Sequence, residues 1–218
     1  MSVAPLADDR DERLLHRLEA FSDIVIGFSL AQSALSLSVP DDVAHFQRML
    51  EHPWGFIAYV LTFCLVASIW WSHNRLFARY FVPNMLSIVL NFALLGFLVL
   101  FVFSIQILIK LKMAGGPYEF YVLMFAAVYM LLAALYFIGV RGRRAYLTEA
   151  EVRNGLRKAV RTGGIALGIF AGTVALVVSG ADSQMVKYYL AIPVAVVILT
   201  IRIADRLVPA LRKPKAAV

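Results

Sequence analysis

Ile24-Val25-Ile26-Gly27-Phe28-Ser29-Leu30-Ala31-Gln32-Ser33-Ala34-Leu35-Ser36-Leu37-Ser38-Val39 runs without a single charge, directly after Arg17-Leu18-Glu19-Ala20-Phe21-Ser22-Asp23. Read as a helix, this stretch is long enough to enter a bilayer, with Asp23 at its mouth. An ionised side chain within a span costs about 2.5 to 3.5 kcal/mol on insertion scales, so such a carboxylate is expected to face protein or water and to have a partner.

Outward from this run the same pattern repeats. Apolar stretches extend over Leu18 to Val39, Pro53 to Trp71, Phe81 to Ile109, Phe120 to Val140, Thr162 to Ala181 and Tyr188 to Ile201. Each exceeds what a barrel strand needs and lacks its alternation, and backbone facing lipid must satisfy its own hydrogen bonds. The expected fold class is therefore an all-α integral membrane protein with six transmembrane helices per protomer and no soluble domain. Composition agrees, with 61% hydrophobic and 16% charged residues. The charged start (Asp8, Asp9, Arg10, Asp11, Glu12, Arg13) is unlike a removable signal peptide, so the first span is expected to stay in the mature protein. Cys64 is the only cysteine, which excludes a disulfide framework or a thiolate metal cluster.

Orientation follows from the basic residues. Of the 21 Lys and Arg, all but Arg48, Lys110, Lys112 and Lys187 fall in the N-terminal segment, in alternate connections and at the C-terminal end. This asymmetry predicts both termini in the cytoplasm. It also accounts for the net charge of +7 without nucleic acid, since no stacking platform or recognition module accompanies the basic residues. Anionic lipids on the cytoplasmic face are the expected partners.

The chain divides into a cytoplasmic segment 1–17, a four-span part 18–140, a basic linker 141–161, a two-span part 162–209 and a basic tail 210–218. In the linker, Glu149, Arg153 and Arg157 succeed one another at four-residue spacing, which suits a short surface helix with paired charges. Ala114-Gly115-Gly116-Pro117 and Pro40-Asp41-Asp42 read as turns.

In the first span, Phe21, Val25, Phe28, Gln32 and Leu35 fall on one helical stripe, and Ser22, Ser29, Ser33 and Ser36 on a neighbouring one. Serines permit close helix approach, so plain packing accounts for theirs. The other stripe has a sharper reading: several copies of the helix around an axis would present Phe28, Gln32 and Leu35 to a lumen as a hydrophobic constriction.

Three short strings carry a resemblance. Arg17, Phe21, Ser22 and Asp23 form Arg-x-x-x-Phe-Ser-Asp; Trp70-Trp71-Ser72-His73-Asn74-Arg75-Leu76-Phe77 holds Trp-x-x-His followed by Arg-Leu-Phe; Asn91 follows in the third span. In this order they resemble the prokaryotic relatives of the endolysosomal potassium channel called transmembrane protein 175. The resemblance implies a homotetrameric, potassium-preferring cation channel in a bacterial inner membrane, its pore lined by the first helix. It also implies a hydrophobic constriction in place of a carbonyl filter, K+ as permeant ion and no cofactor. Arg17, Phe21, Ser22, Asp23, Trp70, His73 and Asn91 would then form a network that sets the first helix in rotation and depth. The chain departs from the family at Phe28, where isoleucine is common, at Ala31, where threonine is frequent, and at Gln32, often leucine. These departures bear on conductance, gate position and ion preference.

Other classes fit less well. Paired histidines at membrane depth for haem are missing, because His16, His45 and His52 lie outside or at the edges of spans. Asp23, His73 and Glu119 offer too little for a catalytic cluster or a metal site. A proton-coupled secondary transporter using Asp23, Gln32 and Asn91 is the main competitor, with a non-conducting structural subunit behind it.

Overall fold

Apolar runs become helices here, and their ends are set by local capping chemistry. The computed structural model describes residues 9–34, 42, 43, 47, 54–111 and 115–179. Among these it has five helices and no strand: α1 (Asp9–Ala34), α2 (Trp54–Arg79), α3 (Met85–Lys110), α4 (Gly115–Gly142) and α5 (Glu149–Ser179). Three stretches, Met85–Lys110, Gly116–Gly142 and Glu149–Ser179, are long and apolar enough to cross a membrane. The sixth apolar run, the tail 210–218, the Pro40-Asp41 turn and Leu35 lie outside the described residues.

Several ends differ from the sequence expectation. α1 begins at Asp9, because charged residues can continue a helix beyond the apolar part. α2 continues past Trp71 to Arg79, which brings His73 onto the same helix as Trp70. α3 starts only at Met85, where the extended Asn84 caps it and its side-chain oxygen accepts from the Ser87 amide at 2.8 Å. Gly115, Gly116 and Pro117 belong to α4 rather than to a turn; proline is tolerated in a first turn, where its missing N–H is not needed. The linker helix does not stop before the fifth span: α5 is one continuous helix of 31 residues. Its start is a capping box, with Thr148 Oγ1 donating to Glu151 Oε2 at 2.8 Å and the Glu151 amide donating back to Thr148 Oγ1 at 3.3 Å. Glu151 reaches Arg79 at 3.0 Å, an ion pair across helices.

α4 lies between α3 and α5, α3 lies between α4 and α1, and α2 touches α1, α3 and α4. On α3 the buried face recurs at three and four residues, through Ser87, Asn91, Leu94, Leu98, Phe101, Ile105 and Leu108. The tyrosines of α4 meet hydroxyls of α2 in a ladder: Tyr121 with Thr62 at 3.2 Å, Tyr129 with Ser68 at 3.4 Å, and Tyr136 donating to the Ser72 carbonyl at 2.7 Å. A buried phenol needs such a partner, so these residues fix the register between the two helices.

At the end of the ladder Tyr80 is wedged between α4 and α5. Its hydroxyl donates to the Glu151 carbonyl at 3.2 Å, and burial pushes the phenol up from its ordinary range, which keeps it a neutral donor. Two glycines make room for it. A Cβ on Gly139 would stand 2.5 Å from the Tyr80 carbonyl oxygen, and one on Gly155 would stand 2.9 Å from the Tyr80 ring. This close approach clamps α2, α4 and α5 together at one end.

Candidate functional site

α1 is positioned by a polar junction with α2 and α3. Ser22, His73 and Asn91 are each buried to within 1% exposure, one from each helix. His73 Nε2 lies 2.8 Å from Asn91 Oδ1, Asn91 Nδ2 donates to Ser22 Oγ at 3.2 Å, and Ser22 Oγ donates to the Leu18 carbonyl at 2.7 Å. An amide oxygen only accepts, so Nε2 of His73 carries the hydrogen. The donors therefore run in one direction, from α2 through α3 to α1, and no member is left unpaired.

Asp23 stands beside this chain rather than in it. Its Oδ1 accepts from the Trp70 indole at 2.8 Å, a contact on the exposed side of α1 and α2. Phe21 meets Phe92 of α3 edge to face at 5.6 Å. Thus Ser22 and Phe21 tie α1 to α3, Asp23 ties it to α2, and its rotation is set by three neighbouring residues. Arg17 lies one turn below, exposed.

The rest of α1 separates into two faces. Ser22 and Ser29 point into the protomer, each donating to the carbonyl four residues back, as packing serines do. On the other side Phe28 is 71% exposed and Ile24 69%. Gln32 is half-buried instead, its carbonyl accepting from Gln106 of α3 at 3.5 Å, and Val25 packs against the core. The outward line runs through Phe21, Ile24 and Phe28, about a sixth of a turn from the line through Val25 and Gln32. Ile24 escapes sequence reasoning because one apolar residue in an apolar run has no marker of direction. Gln106, the second side-chain amide of α3 after Asn91, has no evident partner in the sequence.

These features define an all-helical membrane protein whose first helix is locked at its base and bares an aromatic and aliphatic face. Residues 17–101 match the family described as the endosomal/lysosomal potassium channel TMEM175. A protein named potassium channel from Marivirga tractuosa is 27% identical over 94 residues, 43% of this chain and 37% of that relative, so the chain matches little more than a third of its length. The fold is similar to the crystal structure of a lysosomal potassium-selective channel TMEM175 homolog from Chamaesiphon minutus, with a TM-score of 0.67 at 20% identity over 89% of this chain and 98% of that one. It is also similar to a variant of the potassium channel MtTMEM175 in complex with a nanobody–MBP fusion, with a TM-score of 0.63 at 15% identity over 94% and 100% of the two chains.

Proposed function

We propose that the chain is a potassium-preferring cation channel of the inner membrane, built as a homotetramer of six-span protomers with both termini cytoplasmic. The first helix of each subunit lines the pore. The carrying observation is the bare face of α1: Phe28 and Ile24 are more than two thirds exposed while Ser22, two turns or less away, is sealed into a junction with α2 and α3. A helix held this firmly, with large apolar rings turned outward, suits a constriction that governs wetting between subunits. Similarity to potassium channels supports the choice of ion. The junction residues support the pore wall and do not touch the ion; Asp23, engaged by Trp70, acts likewise.

Reconstitution into liposomes with opposing potassium and sodium gradients tests this reading. Cation flux is expected in the parent, increasing in Phe28→Ala as the ring is removed. Counterflow with substrate competition would replace the channel with a transporter. Absence of flux in both proteins, each shown folded and inserted, would leave a structural subunit.

A further inference from the structure

Beyond the clamp at Tyr80, α2 and α5 part and leave a cavity of about 220 Å³ floored by α4. Arg75 of α2 and Lys158 and Arg161 of α5 line it, together with the hydroxyl-bearing Ser72, Tyr129 and Thr162. Among the described residues the lining holds no carboxylate. Glu151, the nearest acid joining these helices, is engaged by Arg79 and Thr148 outside the cavity. Two of the three cations rest on aromatic rings instead of acids: Arg75 at 5.0 Å from the Trp71 ring centre and Lys158 at 5.3 Å from that of Tyr136. Three like charges around one small space are a cost unless an anion fills it.

The donor set is that of an oxyanion site. Two guanidinium forks and an ammonium, backed by hydroxyls, suit a tetrahedral phosphate. The cavity lies where the basic part of α5 gives way to its apolar part, and Trp71 on its rim is the residue type that settles at headgroup depth. With no acid to hold an ammonium, a zwitterionic headgroup would leave its own cation unpaired.

We propose that this cavity binds the phosphate of an anionic lipid headgroup at the interface between α2, α4 and α5. Binding there would tie α2 to α5 beyond the Tyr80 clamp and the Arg79–Glu151 pair. The proposal does not depend on ion conduction, and its readout is binding rather than flux.

The full-length protein in non-ionic detergent is titrated with phosphatidylglycerol and with phosphatidylcholine, bound lipid being counted by native mass spectrometry. The parent is expected to favour phosphatidylglycerol by about tenfold or more. Arg75→Gln with Arg161→Gln should abolish the preference, whereas Arg144→Gln with Arg153→Gln, equal in charge but outside the cavity, should keep it. Lys158→Gln alone should weaken it by a smaller factor, which serves if the double variant does not fold. Inorganic phosphate is added as competitor: displacement of the lipid identifies the phosphate as sufficient, and retention identifies the acyl chains as required. No preference in the parent, or equal loss in the two double variants, would reduce the effect to diffuse surface charge and overturn the site.

Discussion

α2 is held at two junctions that use opposite electrostatics. Toward α1 and α3 its buried contacts are between neutral groups, His73, Asn91 and Ser22, bonded in series and sealed from solvent, while the Asp23 carboxylate stays outside them on Trp70. Toward α4 and α5 it meets a tyrosine ladder ending among Arg75, Lys158 and Arg161, where positive charge exceeds what the described residues neutralise. A neutral junction is complete in itself and serves as a fixed hinge for the helix it carries. A charged junction with one sign in excess is complete only with a ligand. The first is suited to setting α1 in place, the second to holding the anion proposed above.

The largest expected effect breaks the neutral junction. Asn91→Leu keeps the branching at Cγ but removes both the acceptor for His73 and the donor to Ser22. Each buried group left without a partner costs about 1 to 3 kcal/mol, so a loss of about 2 to 4 kcal/mol is expected, after some re-pairing by the serine. Thermal unfolding in detergent reads it. An unchanged midpoint would mean that the three helices are positioned by apolar packing alone, and the contrast between the junctions would lose its meaning.

A middle-sized effect tests the clamp that closes the charged side. Gly139→Ala places a methyl 2.5 Å from a backbone oxygen of Tyr80, an atom that cannot move without shifting α2. Overpacking of this kind costs about 1 to 3 kcal/mol, more than the roughly 1 kcal/mol that alanine gains over glycine within a helix. Gly164→Ala on α5, with nothing within 4 Å, should show only the gain. Equal shifts in the two variants, measured by the same unfolding, would show that α2 and α4 are not in fixed contact there.

The difference between the junctions also decides what the sequence revealed. The neutral one was legible as residue types, because a serine and an asparagine in apolar runs and a histidine just past the end of another demand partners. Who pairs with whom was not: Asp23 takes Trp70 while Ser22, its neighbour, takes Asn91, and only the rotation of α1 separates them. Helix ends followed chemistry that apolar length ignores, such as the Asn84 cap or the Thr148-x-x-Glu151 box, which the sequence does contain. The tyrosine ladder was illegible, since a tyrosine in an apolar run looks like core until a hydroxyl on another helix faces it. Likewise the linker's cations read as a solvated surface, although Lys158 and Arg161 lie on the wall of a cavity.

The smallest expected effect concerns the ion pair at the end of that cavity. Arg79 and Glu151 are 3.0 Å apart, with side chains 53% and 27% exposed. Pairs this open contribute little, because solvent and salt screen them and two long side chains must be ordered. The Glu151 carboxylate moreover keeps its two bonds from Thr148, backbone amide and hydroxyl, when the arginine is gone. Arg79→Gln should therefore leave the unfolding midpoint within experimental error, and added salt should not distinguish it from the parent. A clear, salt-sensitive drop would show that the pair locks α2 to α5. The charged junction would then be self-sufficient without a lipid, and the asymmetry between the two sides of α2 would disappear.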